Sequence, residues 1–194
     1  MKYQWKLAQH LTLYEKYFKL DEYSLSHELF AGGSSPVFTR EVFDRGAVVV
    51  VLPYDPERRK VILIEQFRIG AIKDPAGPWL IETVAGVIEP GESTQQVAMR
   101  ESVEEAGCNL QRLEPIGEFY VSPGASNEHC SVFCGVVDSD GVAGLHGLAT
   151  ENEDIRVMVI DATEAFAWVR EGRIRSASTI VALQWLELNQ AHFD

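Results

Sequence analysis

At 194 residues with 46% hydrophobic content, the chain is long enough for one sizeable core and a small appendage. Asp and Glu number 29 against 17 Lys and Arg, a formal net charge of -12, which argues against nucleic acid as the main partner because phosphate backbones are held by basic surface. A small anionic substrate stays open, since a bound divalent cation inverts the local sign.

Residues 1–45 are rich in aromatic and polar side chains, with loose alternation through Leu11, Leu13, Tyr14, Tyr17, Phe18 and Leu20. Short strands and turns fit this stretch better than helix, and AGGSSP at 31–36 marks a turn. Lacking a long apolar run, it is expected to form a small sheet that leans on something else, a second copy of the chain being one choice. Residues 47–52 (AVVVVL) are a continuous apolar run and predict a buried strand. Residues 53–56 (PYDP) turn the chain, residues 61–64 (VILI) return, and residues 79–84 give a further strand. Ser93 and Gln96 form a capping box that starts a helix over 94–106, and Gly107 stops it. Strands follow near 115–121 and 131–137, then a glycine-rich loop at 141–150 and a strand at 155–160. A short helix at 163–170 and a longer one at 177–190 close the chain, the latter with Val181, Trp185 and Leu188 at helical spacing. The layout predicts an α/β or α+β fold, a mixed sheet with helices on it.

The stretch at 86–108, GVIEPGESTQQVAMRESVEEAGC, carries the densest chemistry. At about 100° per residue, Ala98, Met99, Ser102, Val103 and Ala106 fall on one side, the expected core face, and Glu101, Glu104 and Glu105 on the other. Glu101 and Glu105 lie one turn apart and repel by a few tenths of a kcal/mol, roughly. A hard divalent ion suits such clustered carboxylates; a solvated charged face is the plainer alternative. The flanking residues weigh against it. Gly86, Glu92, Arg100, Glu101, Glu104, Glu105 and Gly107 obey G-x5-E-x7-R-E-x2-E-E-x-G, a coincidence expected on the order of once in 10⁸ windows at average usage.

That pattern resembles the signature of the Nudix hydrolases, which cleave nucleoside diphosphates linked to another group. Ser102 and Cys108 stand where the family usually has aliphatic residues. The resemblance implies an α/β/α sandwich with a mixed sheet (residues 46–194), plus a small N-terminal antiparallel sheet (residues 1–45) for dimerisation and adenine contacts. Four further segments, LPYDPERRKVILIEQFRIGA, VAGVIEPGES, VSPGASNE and HGLATENEDIRV, resemble the bacterial branch of the family that hydrolyses ADP-ribose. By position, the resemblance implies that the Ala85 carbonyl, Glu101, Glu105 and Glu153 hold two or three Mg²⁺ ions (Mn²⁺ as an alternative), with Glu104 beside them. Glu151 would be the base that deprotonates the attacking water. Arg68 would meet the phosphates or the terminal ribose. Ser122, Pro123, Gly124 and Glu128 would line the ribose end, near Val87. Tyr17 and Phe18 would receive the adenine, and Arg40, Glu41 and Arg45 would contact substrate, some across a homodimer with shared sites. Arg100 and Glu92 would orient the helix.

The implied reaction takes ADP-ribose to AMP and ribose 5-phosphate. The rivals are another nucleoside diphosphate sugar such as ADP-glucose, and a non-catalytic ADP-ribose sensor, which would not need the full carboxylate set. Cys108, Cys130 and Cys134 are odd in number and form no CxxC, which reads as buried free thiols of a reducing compartment. No apolar run approaches the ~20 residues of a membrane span, and the N-terminus MKYQWKLAQH has no apolar signal region. A cytoplasmic protein without membrane or nucleic-acid partners is the expectation.

Overall fold

The computed structural model describes residues 3–193, with Glu151 described by its backbone alone. The chain divides into two compact units, Met1–Ala47 with Tyr120–His129, and Val48–Phe119 with Cys130–Asp194.

In the first unit, β1 (Trp5–Glu15), β2 (Lys19–His27) and β3 (Phe38–Asp44) form an antiparallel sheet in that order. The strands are longer than the composition suggests, because β1 and β2 stay paired across two register shifts, at Leu7/Gln9 and Thr12/Tyr14. Every residue of β1 is exposed. Burial centres instead on a polar residue, Asp21, which is 1% exposed. Its carboxylate accepts from Lys19 Nζ at 2.7 Å, Thr12 Oγ1 at 2.8 Å, His10 Nε2 at 3.1 Å and Tyr23 OH at 3.4 Å. The Lys19 ammonium, against the cost of burial and with help from Thr12 and His10, holds this carboxyl at about 2.

The second unit is built on an eight-stranded sheet. Its strands are β4 (Ala47–Asp55), β5 (Lys60–Phe67), β6 (Trp79–Glu82), β7 (Val84–Val87), β8 (Arg112–Tyr120), β9 (His129–Val136), β10 (Gly144–His146) and β11 (Ile155–Asp161). The order is β10-β11-β5-β4-β9-β8, with β6 added to β5 and β7 to β4. Most ladders are antiparallel. Along β4 and β9, however, His129 N–H donates to the Gly46 carbonyl and Val137 N–H to that of Tyr54, so these two strands run parallel and the sheet is mixed. Three helices pack on it, α1 (Thr94–Ala106), α2 (Ala162–Arg170) and α3 (Ala177–Asn189).

The run AVVVVL is apolar on both sides because both faces of β4 are covered. Val48, Val50, Leu52 and Tyr54 point into a core with Phe166, Trp168, Ala182, Leu183 and Leu186 of α2 and α3. Val49 and Val51 point the other way, into a core with Val97, Ala98 and Ala106 of α1. The result is the expected α/β/α sandwich, with α1 alone on its face. Burying a side chain such as Leu52, 0% exposed, contributes roughly 1.5–3 kcal/mol.

Three expectations are corrected. Residues 79–84 are not one strand: the chain leaves β5 for β4 at Thr83, whose N–H is taken by Thr179 Oγ1 of α3 at 2.9 Å rather than by a ladder. The loop at 141–150 contains the short edge strand β10. On α3, Val181 and Leu188 are exposed while Thr179, Ala182, Leu183 and Leu186 are buried. That helix is apolar nearly all round, so periodicity alone does not select its inner face.

Candidate active site

Helix α1 begins as its sequence dictates. Ser93 Oγ accepts from the Gln96 N–H at 3.3 Å and Gln96 Oε1 accepts from the Ser93 N–H at 2.8 Å, a complete capping box. It ends at Gly107, whose φ of 62° is left-handed. Its inner face is not the one expected. Val97, Ala98, Ser102, Glu105 and Ala106 are buried, whereas Met99 and Val103 are 53% and 49% exposed. At about 100° per residue the buried set spans half the helix, and Glu101 and Glu105 fall near its middle. The helix is therefore turned so that two carboxylates, not two apolar side chains, sit against the sheet. The apolar count misleads here because Ala98, Ser102 and Ala106 are small enough to share a face with glutamates that reach past them.

Each carboxylate of this seam has a specific environment. Glu105, 3% exposed, accepts a single hydrogen bond among the described residues, from the Ala85 N–H of β7 at 2.9 Å. Burial, only partly offset by that bond and reinforced by the Glu101 charge, pushes its carboxyl up to about 8. Burial likewise raises Glu101 to about 7; Arg100 opposes the shift, while Glu104 and Glu153 add to it. Arg100 gathers the outer edge. Its Nη1 donates to Glu101 Oε1 at 2.7 Å and to Glu104 Oε2 at 3.2 Å, and its Nε and Nη2 grip Glu92 at 3.1 and 3.2 Å. Glu92 in turn accepts from the Glu89 N–H at 3.1 Å, so loop and helix are tied together as expected of Arg100 and Glu92. Gly86 is required by space: a methyl group there would run into the Glu101 carboxylate.

Glu153 follows the turn at Ala149–Glu151 and accepts from the Leu148 N–H at 3.2 Å. The Glu151 side chain lies outside the described residues. Arg68, at the end of β5, donates from Nε to Glu82 Oε2 at 2.7 Å and lowers Glu105 electrostatically. Glu82, 13% exposed in its side chain, was not singled out by the sequence; its signal is that it lies three residues before the Nudix-type Ala85-Gly86. Val87 is 43% exposed at the end of β7.

Among the described residues no three His, Cys, Asp or Glu side chains form a ready metal nest. Protein donors occupy the carboxylates instead: Arg100 on Glu101 and Glu104, Ala85 on Glu105, Leu148 on Glu153. The donor set nonetheless fits a hard divalent ion. It is all oxygen, it includes a buried carboxylate with one hydrogen bond, and Gly86 leaves room for Glu101 where a side chain would fill the space.

The remaining candidates lie in the first unit. Tyr17 is 89% exposed and meets Phe18 edge-on at 4.7 Å. Arg45 lies over Phe18, its guanidinium 4.9 Å from the ring centre. Arg40 covers Phe38 at 4.8 Å and bonds the Thr39 carbonyl, and Glu41 faces Glu22 across the β2–β3 ladder. Ser122, Pro123 and Gly124 form a turn in which the Ser126 N–H donates to the Ser122 carbonyl at 2.9 Å, and the Glu128 carbonyl accepts from the Val121 N–H at 3.2 Å. Asn127 joins that turn to Arg45. Its Oδ1 accepts from the N–H groups of Arg45 and Gly46 at 2.8 and 3.0 Å, and its Nδ2 donates to Asp44. Asn127 was missed, and nothing in a lone SNE triplet separates such a clamp from an ordinary turn.

A family model for the NUDIX domain matches residues 44–193. The chain belongs to the Nudix family. It is 49% identical over 178 residues to the ADP-ribose pyrophosphatase of Escherichia coli (strain K12), covering 92% of this chain and 85% of that protein. It is 46% identical over 183 residues to the ADP-ribose pyrophosphatase of Haemophilus influenzae, covering 93% and 84%. The GDP-mannose pyrophosphatase of Cronobacter sakazakii is 37% identical over 151 residues, 77% of this chain and 78% of that one. A solved structure described as an ADP compounds hydrolase superposes with a TM-score of 0.72 at 18% identity, over 97% of this chain and 96% of that one, which bears on the fold alone. Nudix hydrolases generally use divalent metal ions.

Proposed function

We propose that this Nudix hydrolase cleaves the pyrophosphate of ADP-ribose to give AMP and ribose 5-phosphate. The observation that carries the substrate is likeness along nearly the whole chain, 49% over 92% of it, to a protein named for that activity. The match to a GDP-mannose enzyme is weaker and covers 77%. The buried Glu105, with the largely enclosed Glu101 of the same helix, supports hydrolysis over mere binding, since a sensor has no use for a carboxylate buried at such cost.

In this reading Glu101, Glu105, Glu153 and the Ala85 carbonyl hold two or three Mg²⁺ ions, with Glu104 beside them; Mn²⁺ is the alternative. Bound divalent ions supply charge neutralisation of the pyrophosphate and a water of lowered pKa. Glu151, assigned by its position in the family pattern, takes the proton from the attacking water. Arg68 binds a phosphate, and its charge meets the charge that builds on the leaving oxygen. Tyr17 and Phe18 offer the adenine an exposed aromatic pair. Arg40, Glu41, Arg45, Val87, Ser122, Pro123, Gly124 and Glu128 complete the substrate contacts.

A homodimer with shared sites is part of the proposal. The exposed strand β1 carries Trp5, Leu7, Leu11, Leu13 and Tyr14 at 43–68% exposure, the kind of edge a second copy covers. A monomer in light scattering with full activity would remove the cross-subunit role given to Arg40 and Tyr17. Cys108, Cys130 and Cys134 are buried and form no disulfide among the described residues, which fits a reducing compartment, the cytoplasm, and among the described residues no helix is long and apolar enough to cross a membrane. The deciding experiment is chromatography of ADP-ribose incubated with the protein, with and without Mg²⁺, beside ADP-glucose and GDP-mannose. Metal-dependent AMP release, fastest from ADP-ribose, is expected. Tight binding with no AMP would point to a sensor.

A further inference from the structure

We propose that Glu82 is a positioning residue: it folds the Arg68 side chain back along the sheet, so that the guanidinium presents its two Nη groups to a substrate phosphate. The inference rests on the pyrophosphate-hydrolase reading above and deepens it at one contact.

The backbone of Arg68 is fixed at the end of the β5–β6 ladder. Its N–H donates to the Pro78 carbonyl at 2.8 Å, and its φ and ψ of -123° and 109° are extended. Left to itself, a side chain at a strand end would run out into solvent. Glu82, however, is not the cross-strand neighbour of Arg68; it faces Ile64. At ~3.3 Å per residue those four positions are about 13 Å of strand. The 2.7 Å bond between Arg68 Nε and Glu82 Oε2 is therefore made by two long side chains reaching toward each other, with the twist of the strands shortening the gap. Ile64, Gln66 and Arg68 share one face by the two-residue period, and Ile64 belongs to the core beneath α1. The guanidinium is thus drawn back over the face that carries the carboxylate seam.

Two further observations point to a ligand here. Only Nε of Arg68 is engaged; among the described residues no hydrogen bond or ion pair occupies Nη1 or Nη2. An arginine tethered this way keeps the planar fork that matches two phosphate oxygens. On the same face, Gln66 is 5% exposed, yet its Nε2 has no hydrogen-bond partner among the described residues. The guanidinium fork, unpaired among the described residues, is the part of this face left open to an anion's oxygens. The burial is also divided suitably, with the Glu82 side chain 13% exposed and that of Arg68 43%. The anchor is inside and the binding group faces out.

The test is a double-mutant cycle on Glu82 and Arg68 with saturating Mg²⁺, reading KM and kcat for ADP-ribose and checking the fold by thermal melting. Glu82→Ala is expected to raise KM about tenfold, the worth of roughly one charge-assisted hydrogen bond, and to lower kcat as well, because the same guanidinium meets the charge on the leaving oxygen. Glu82→Gln keeps an oxygen acceptor for Nε and should recover most of the loss. In an Arg68→Ala background, Glu82→Ala should change nothing further, because the two act as one device. An unchanged KM for Glu82→Ala, or the same loss with Arg68 already removed, overturns the proposal. Should Glu82→Ala melt below the assay temperature, Glu82→Asp, which shortens the reach but keeps the charge, takes its place with the same expectations. If the wild-type protein releases no AMP, the substrate reading fails by itself. The same cycle is then read from calorimetric affinity for magnesium pyrophosphate, where independent, additive losses sink the coupling.

Discussion

Asp55, at the end of β4, and Glu105, on α1, are both buried carboxylates of the same unit, 1% and 3% exposed, yet they are held in opposite ways. Asp55 accepts from Ser139 Oγ at 2.6 Å, the Ser139 N–H at 2.9 Å, the Arg58 N–H at 3.0 Å and Arg58 Nη1 at 3.1 Å. Burial pushes its carboxyl up, but these donors outweigh it and hold it at about 2. Glu105 has one donor and a like-charged neighbour, and stands at about 8. Asp55 is a finished structural joint, closing the β4–β5 turn on the segment after β9. Glu105 is left unfinished, and a buried carboxylate short of partners is what the proposed metal site would use. Asp21, in the first unit, sides with Asp55. The lesson is that burial alone does not mark a functional carboxylate; burial without donors does.

The sharpest way to break the comparison is Glu101→Gln, which keeps shape and removes one charge from the seam. Turnover of ADP-ribose should fall by about 10²–10⁴ while circular dichroism and melting stay native. Near-normal turnover with Mg²⁺ would mean the seam is not the metal site. Next in size is Asp55→Asn, expected to cost about 2–4 kcal/mol at pH 7 in urea unfolding, because several donors lose their charged acceptor. The sign of its pH dependence follows from the depressed carboxyl. The unfolded group titrates near 3.9 and the folded one at about 2. The stabilisation is therefore complete above about pH 5 and disappears as pH falls through about 2. The gap between wild type and Asp55→Asn should close over that window, and a gap that stays constant would show the shift does not stabilise the fold.

Ser139→Ala should cost about 1 kcal/mol more modestly, since it removes the hydroxyl donor and leaves the backbone one. The smallest effect, and the most telling, is Glu105→Gln in chelator. With its carboxyl pushed up to about 8, Glu105 is largely protonated near pH 7 without metal, so the amide replaces a nearly neutral group and the melting temperature should be unchanged or slightly raised, the reverse of Asp55→Asn. Adding Mg²⁺ should then raise the melting temperature of the wild type but not of this variant. A loss of stability like that of Asp55→Asn would place Glu105 among the structural joints.

Much of this was legible in the chain. The seven-residue pattern around α1, its capping box and Gly107, and the two-faced apolar strand β4 all depend on local chemistry that spacing records. What failed was orientation. Periodicity put Met99 and Val103 inside and Glu105 outside, and the structure reverses them. The amphipathic rule assumes that apolar residues win the core, and at this helix small residues let glutamates take it. The same blindness hid Glu82 and Asn127, whose roles exist only through partners distant in sequence: Arg68 on a neighbouring strand, and the Arg45–Gly46 backbone.

By itself, then, the sequence determined which residues could do the chemistry and that they ride on a capped helix behind a glycine, because caps, turns and motif spacing are short-range. Only the tertiary structure decided that Glu105 is buried with one donor among the described residues while Asp55 is buried with four. A carboxylate's charge state depends on what the rest of the fold brings within a few ångströms of it, and that is set by packing across the sheet rather than by neighbours along the chain.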